Sequence, residues 1–268
     1  MDQNTENVQK SYDQVADEYV SRIAHELEHK PLDRELLDRF AKGIHGLGLA
    51  CDLGCGPGHV ARYLYEHGVS VLGIDLSSRM VELARKINPG IEFRQGNMAS
   101  LDSEDGSWAG IVAFYSLIHF HRPQVVPVLQ EFSRVLQPNG LLLLAFHQGQ
   151  EVRHIQEWWG KQVELFGVFF ERDEMEGYLR EAGFEIEESL VRSPYVGVEV
   201  QTQRAYIFGT QTALIHALST RESDNLDDSA GGSHGPKADA PASFSSAAPR
   251  TASDHLPSLW QSNVDDAP

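Results

Sequence analysis

The chain is poor in cysteine, in basic residues and in long apolar runs, and each shortage closes off a class of function. Two cysteines occur in 268 residues, Cys51 and Cys55. No second pair follows at zinc-finger spacing, so no metal site is expected from them. They read as small reduced side chains of a cytoplasmic protein. Lys and Arg number 22 against 39 Asp and Glu, for a formal net charge of −17. Phosphate backbones and anionic membrane surfaces both require clustered cations, so neither a nucleic acid nor a membrane is an expected partner. No stretch approaches the roughly 18 consecutive apolar residues of a spanning helix. The opening MDQNTENVQK lacks the basic start and apolar run of a signal peptide.

What is present is an alternation. Apolar residues make up 41% of the chain, enough for a packed core. Residues 11–28 predict a helix, with Tyr12, Val15, Ala16, Tyr19 and Ile23 at three- and four-residue steps. KPLDRELLDRFAKGI predicts another, opened by Pro31. Short apolar strands (GLACDLG, SVLGIDLS, IEFRQGN, WAGIVAFYSL, LLLLAFH) then alternate with helices (HVARYLYEHG, SSRMVELARKIN, PQVVPVLQEFSRVLQPNG, DEMEGYLREAG). Two strands, FEIEESLVRS and QRAYIFGT, close the series. Such repetition implies an α/β fold, a doubly wound and mostly parallel seven-stranded sheet with helices on both faces. One strand near the C-terminus is expected to be antiparallel, because too little chain remains there for a crossover helix.

Composition shifts after about residue 211. Residues 212–268 hold three basic and eight acidic residues and are rich in Ser, Ala, Asp, Pro and Gly. They are expected to form a disordered acidic low-complexity tail, since too little apolar surface is present to offset ordering. Residues 1–211, with net charge −12, are expected to be the single folded domain.

The stretch LACDLGCGPGH places Gly54, Gly56 and Gly58 at alternate positions directly after the first strand. Glycine there lets the backbone turn sharply and approach a ligand closely. In an open α/β sheet, ligands sit at the carboxyl ends of the strands, where this loop lies. Asp75, at the end of the second strand, is placed to accept both hydroxyls of a ribose. Together these predict a nucleoside-containing ligand. A dinucleotide site wants G-x-G-x-x-G, yet counting from Gly54 and Gly56 the third position is His59. Pro57 also removes an N–H that a pyrophosphate would use. A ligand without pyrophosphate fits better.

CDLGCGPG followed by VLGIDLS resembles the S-adenosylmethionine-binding core of class I methyltransferases of the small-molecule type. FRQGNM, AFYSLIHF and EFSRVLQPNGLLLLAFH continue the likeness in the same order, over residues 11 to about 210. The resemblance implies S-adenosylmethionine as cofactor and S-adenosylhomocysteine as product. It places Asp52, Gly54, Gly56 and Gly58 at the methionine end, Asp75 on the ribose, and Leu76 and Met98 against the adenine. Asn97 stands where many members have Asp, as acceptor for the adenine amino group. Tyr115 would offer its backbone carbonyl to the cofactor ammonium. SYDQVADEY resembles a lid helix, making residues 1–46 an N-terminal helical lid, with Tyr12 and Tyr19 closing over the site or packing in the core.

The implied chemistry is in-line methyl transfer to a small-molecule acceptor, which rests mainly on alignment and exclusion of water. A general base is needed only for an acceptor that keeps its proton, and His119, His147 and, less centrally, His121 are placed for it beyond strand ends. Trp158, Trp159, Phe166, Phe169 and Phe170 could wall an apolar acceptor pocket. Two other classes stay open: an NAD-dependent oxidoreductase, and a non-catalytic nucleoside-binding module.

Overall fold

The computed structural model describes residues 2–212. The segment expected to be an acidic tail therefore lies, from residue 213 onward, outside the described residues.

Two helices precede the sheet, α1 (Gln3–Ile23) and α2 (Pro31–Ile44), joined by a 3-10 turn at Glu26–His29. The first helix starts eight residues before the expected point. Asp2 caps it, its carboxylate accepting from the Thr5 N–H at 2.8 Å. That cap, and not apolar periodicity, starts α1, which is why a pattern search for buried positions begins too late.

The alternating series then follows as β1 (Leu49–Leu53), α3 (His59–Glu66), β2 (Ser70–Asp75), α4 (Ser78–Ile87), β3 (Glu92–Gln95), β4 (Trp108–Phe114), α5 (Arg122–Val135) and β5 (Leu136–His147). Helix α5 ends five residues early. Residues from Leu136 already pair with β4, and Asn139, at φ 64°, makes the irregularity that shifts the register. The aromatic-rich segment after β5 forms a separate two-stranded sheet. It folds as an antiparallel hairpin, β6 (Val152–Trp158) and β7 (Lys161–Val168), whose turn holds Trp159 at φ 52° and Gly160. Then come α6 (Arg172–Glu181), β8 (Phe184–Arg192) and β9 (Arg204–Gln211).

The seven-stranded sheet has the order β3-β2-β1-β4-β5-β9-β8. All its pairs are parallel except those of β9, which runs antiparallel to both neighbours. The mostly parallel doubly wound sheet with one antiparallel strand is thus as the sequence implies. Chain direction across the sheet reverses between β1 and β4, so the switch point opens beside the glycine loop. The central strands are buried on both faces. Cys51, Leu53 and Ile111 face a core shared with α5 and α6, while Ala50 and Val112 face one shared with α2, α3 and α4.

Gly58 caps α3 at φ 76°, and a Cβ there would lie 2.6 Å from the fully buried Phe93 ring. Strain and overlap combine, so Gly58→Ala should lower the unfolding free energy by about 2–4 kcal/mol in a urea titration. A variant as stable as the parent would show that Phe93 yields freely.

Candidate functional site

A cavity with an empty volume of about 780 Å³ opens at the carboxyl ends of β2, β1 and β4 and under α1. Three groups of side chains build it.

The first group comes from the strand ends. Gly54 and Gly56 form the floor. Both have positive φ, 72° and 50°, and a Cβ on Gly54 would meet that of Ser116 at 2.4 Å. Only glycine leaves this backbone open to a ligand. Asp75 lines the cavity and is organised by backbone: one carboxylate oxygen accepts from Gly56 N–H and the other from Ser77 N–H, each at 2.8 Å. Burial pushes its acid up to about 6, although those bonds favour the charged form. Each oxygen keeps lone-pair capacity toward the cavity.

The second group follows β3 and β4. Leu76, Asn97 and Met98 line the cavity. The Asn97 side-chain oxygen already accepts from Ala99 N–H at 2.9 Å, which fixes the turn and leaves its remaining lone pair for any other donor. Tyr115 and Ser116 line it from the other side. Tyr115 sits at φ 54°, a conformation uncommon for a bulky residue, held by its N–H on Ala145 O at 2.7 Å. The Ser116 hydroxyl is buried in the cavity wall without a hydrogen-bond partner.

The third group comes from α1, which supplies Asn4, Thr5, Val8, Tyr12 and Tyr19. Asn4, Thr5 and Val8 escaped the sequence reading, since they precede the recognised periodicity. The Asp2 cap was the available signal. Asp13 secures the helix to α4 by accepting from Ser77 Oγ at 2.5 Å and Arg79 N–H at 3.1 Å.

The α1 group meets His119 across the cavity. His119 Nδ1 lies 2.9 Å from the carbonyl of Phe166 on β7, and Nε2 lies 2.8 Å from Tyr12 Oη. A carbonyl can only accept, so Nδ1 carries the proton. Nε2 is then the acceptor of the Tyr12 hydroxyl. Burial lowers His119 to about 4, so the ring is neutral at physiological pH. Asn4 adds a bond to the His119 carbonyl at 3.0 Å.

Some expected residues sit elsewhere. Asp52 is buried off the cavity, where it accepts from Ala61 N–H at 3.0 Å and anchors α3. Burial pushes it up to about 7. Gly58 packs on Phe93 and does not line the cavity. His147 is also outside it. Its ring stacks on Phe169 at 4.9 Å, and Nδ1 accepts from Arg204 at 2.6 Å. Burial, then Arg204, holds it well below the usual imidazole range, so it is a packed neutral ring. His121 is an exposed cap of α5. None of Trp158, Trp159, Phe166, Phe169 and Phe170 lines the cavity. Trp158 instead backs Tyr12 and Tyr19 at ring distances of 5.7 and 5.8 Å, so the hairpin braces the wall from behind. Among the described residues, no group of three or more His, Cys, Asp or Glu is arranged to hold a metal, and no helix is long and apolar enough to cross a membrane.

The fold is shared with known proteins. Residues 50–140 match the family described as "Methyltransferase domain". The demethylmenaquinone methyltransferase of Lactococcus lactis is 32% identical over 147 residues, 51% of this chain and 57% of that protein. Among solved structures, the DhpI–SAH complex superposes with a TM-score of 0.61 at 19% identity, covering 78% of this chain and 97% of DhpI. The magnesium protoporphyrin IX methyltransferase of Synechocystis PCC 6803, solved with bound SAM, gives 0.58 at 15% identity, covering 79% and 99%. Residues 50–140 thus carry a methyltransferase domain, and the sheet around them has the fold of S-adenosylmethionine-dependent methyltransferases. The matched regions span 59%, 43% and 57% of the first three curated relatives.

Proposed function

We propose that the protein binds S-adenosylmethionine in this cavity and transfers its methyl group to a small-molecule acceptor. The observation that carries the reading is Asp75: a half-buried carboxylate, fixed by two backbone N–H groups, facing a cleft floored by Gly54 and Gly56. Asp75 would hold the ribose hydroxyls, and Leu76, Asn97 and Met98 the adenine. Gly54, Gly56, Tyr115, Ser116 and Tyr19 would take the amino-acid end, where the orphaned Ser116 hydroxyl gains a partner. When bound, the cofactor supplies an electrophilic methyl on a sulfonium. The relatives' names and the chain's negative charge both support a small acceptor over a nucleic acid.

The protein's own chemistry is proton movement at Tyr12 and His119. An acceptor hydroxyl passes its proton to Tyr12 Oη as the Tyr12 proton passes to His119 Nε2, leaving an imidazolium with Nδ1–H on Phe166 O. Were a cationic cofactor to lose its charge on transfer, the proton held at His119 Nε2 would keep the charge count of the closed site. That exchange offsets the cost that burial places on a charged His119. Helix α1, as a lid, and the hairpin behind it exclude water.

Calorimetric titration tests the reading. S-adenosylmethionine and S-adenosylhomocysteine should bind at micromolar concentration and NADH not at all; the reverse pattern would restore the oxidoreductase alternative. Affinity should also depend on pH. Asp75, with its acid near 6 in the ligand-free protein, must be ionised to accept from two hydroxyls. S-adenosylhomocysteine affinity should be level between pH 7 and 8 and fall about tenfold per unit below 6. Asp75→Asn should abolish that slope, and a slope that persisted would place its origin in another group.

A further inference from the structure

Beyond Tyr115, on the side away from Asp75, lies a network of ionisable groups, of which Lys30, Asp33, Glu199 and Arg204 are buried and Glu26 and Arg192 half-buried. Lys30 (3% exposed) bonds Glu26 at 2.7 Å and lies 3.7 Å from Glu199. Arg192 bonds Asp33 and Glu199, and Arg204 lies 3.4 Å from Glu199. Three cations thus face three carboxylates. Burying such groups costs several kcal/mol each in desolvation, and well-packed apolar residues generally stabilise a fold as well or better. Fold stability is therefore a poor account of this network.

Its geometry converges on one side chain. Lys30 Nζ lies 5.4 Å and Arg204 Cζ 5.3 Å from the centre of the Tyr115 ring. The Tyr206 hydroxyl donates to Asp33 at 2.9 Å and accepts from Arg192 at 2.7 Å. Arg192 Nε donates to it as well, at 3.1 Å, and the Tyr115 hydroxyl lies 3.1 Å away, as donor while the Tyr206 proton is on Asp33. Tyr115 is also the residue held at φ 54° where β4 meets the cavity. Sheet order gives it its place: β2, β1 and β4 are adjacent, so Tyr115 lies about 10 Å across the sheet from Asp75. With the ribose on Asp75, the amino-acid end of the cofactor falls at Tyr115.

We infer that Lys30, Arg204 and Tyr206 are positioning residues. They clamp the Tyr115 ring so that its strained backbone presents the cavity wall that the amino-acid end of the cofactor meets. The clamp rests on the S-adenosylmethionine reading, and its test separates the two. Full-length wild type, Lys30→Met and Tyr206→Phe are titrated with S-adenosylhomocysteine and with 5′-methylthioadenosine, which has the adenosine and sulfur but no amino-acid end. Thermal melts establish which variants are folded. Lys30→Met should lose about tenfold in S-adenosylhomocysteine affinity and Tyr206→Phe about fivefold, with methylthioadenosine changed less than about threefold in either. If Lys30→Met fails to fold, Tyr206→Phe decides alone. Equal losses for both ligands, or no loss in folded Tyr206→Phe, would overturn the clamp. So would wild type that binds methylthioadenosine as tightly as S-adenosylhomocysteine. Wild type that binds neither overturns the cofactor reading itself, and the clamp with it.

Discussion

Asp75→Ala should weaken S-adenosylhomocysteine binding by about 1.5–3 kcal/mol, roughly 10- to 150-fold in Kd. The magnitude follows from what is lost. In the proposed complex the carboxylate accepts charge-assisted bonds from two hydroxyls, and alanine offers neither acceptor nor charge. The same substitution frees Gly56 N–H and Ser77 N–H, so part of the loss will come through the glycine loop. Asp75→Asn separates the two contributions, since its amide keeps an acceptor oxygen in nearly the same shape. It should keep one of the two loop bonds, the amide NH2 facing the other N–H, and lose about 1–2 kcal/mol of affinity. Calorimetry on both variants, with urea unfolding alongside, gives the comparison. Alanine binding as tightly as wild type would sink the ribose assignment.

The second large effect concerns transfer. His119→Ala should lower the transfer rate to a hydroxyl acceptor by about 10²–10⁴, with cofactor affinity nearly unchanged. The bond from Tyr12 to Nε2 and the bond from Nδ1 to Phe166 define one tautomer, with the basic nitrogen on the cavity side. Tyr12→Phe should cost less than His119→Ala, because it uncovers Nε2 for direct contact with the acceptor. A thiol acceptor that ionises on its own should be spared in both variants, since no base is then required. The measurement is single-turnover transfer of labelled methyl from S-adenosylmethionine to acceptors found by screening. Equal losses on hydroxyl and thiol acceptors would point to misalignment, and an unaffected alanine variant would remove His119 from the chemistry.

These two residues differ in how they could be read. Asp75 was legible because its role is local: it ends an apolar strand, a fixed distance after a glycine turn, and that turn must lie at the strand's carboxyl edge. His119 was legible only as one of three histidines past strand ends. Sequence position put His119 and His147 ahead of His121, but what separates the first two is their partners. His119 met Tyr12, 107 positions earlier, whereas His147 met Arg204 and a stacked Phe169. Asp52 shows the same limit. It occupies the motif position expected to line the cavity, yet its carboxylate turns to the N-terminus of α3, where an N–H required an acceptor. The aromatic segment after β5 was recognised by composition, but its use was not, since nothing local tells a pocket wall from a brace behind one.

The sequence by itself determined the α/β alternation, the parallel sheet with one reversed strand, the glycine floor and the acid at the end of β2. Each follows from short-range rules: the period of burial, the need for positive φ in a tight turn, and the length of chain left for a crossover. Tertiary structure alone decided which side chains face the cavity. It brought α1 over the strand ends, set Tyr12 on His119, and gathered Lys30, Asp33, Arg192, Glu199 and Arg204 around Tyr115 from positions as much as 174 apart. Hydrogen bonds and ion pairs of this kind have no sequence period. They form where the packing of two apolar faces happens to leave polar groups within reach, and that is fixed only when the whole chain has folded.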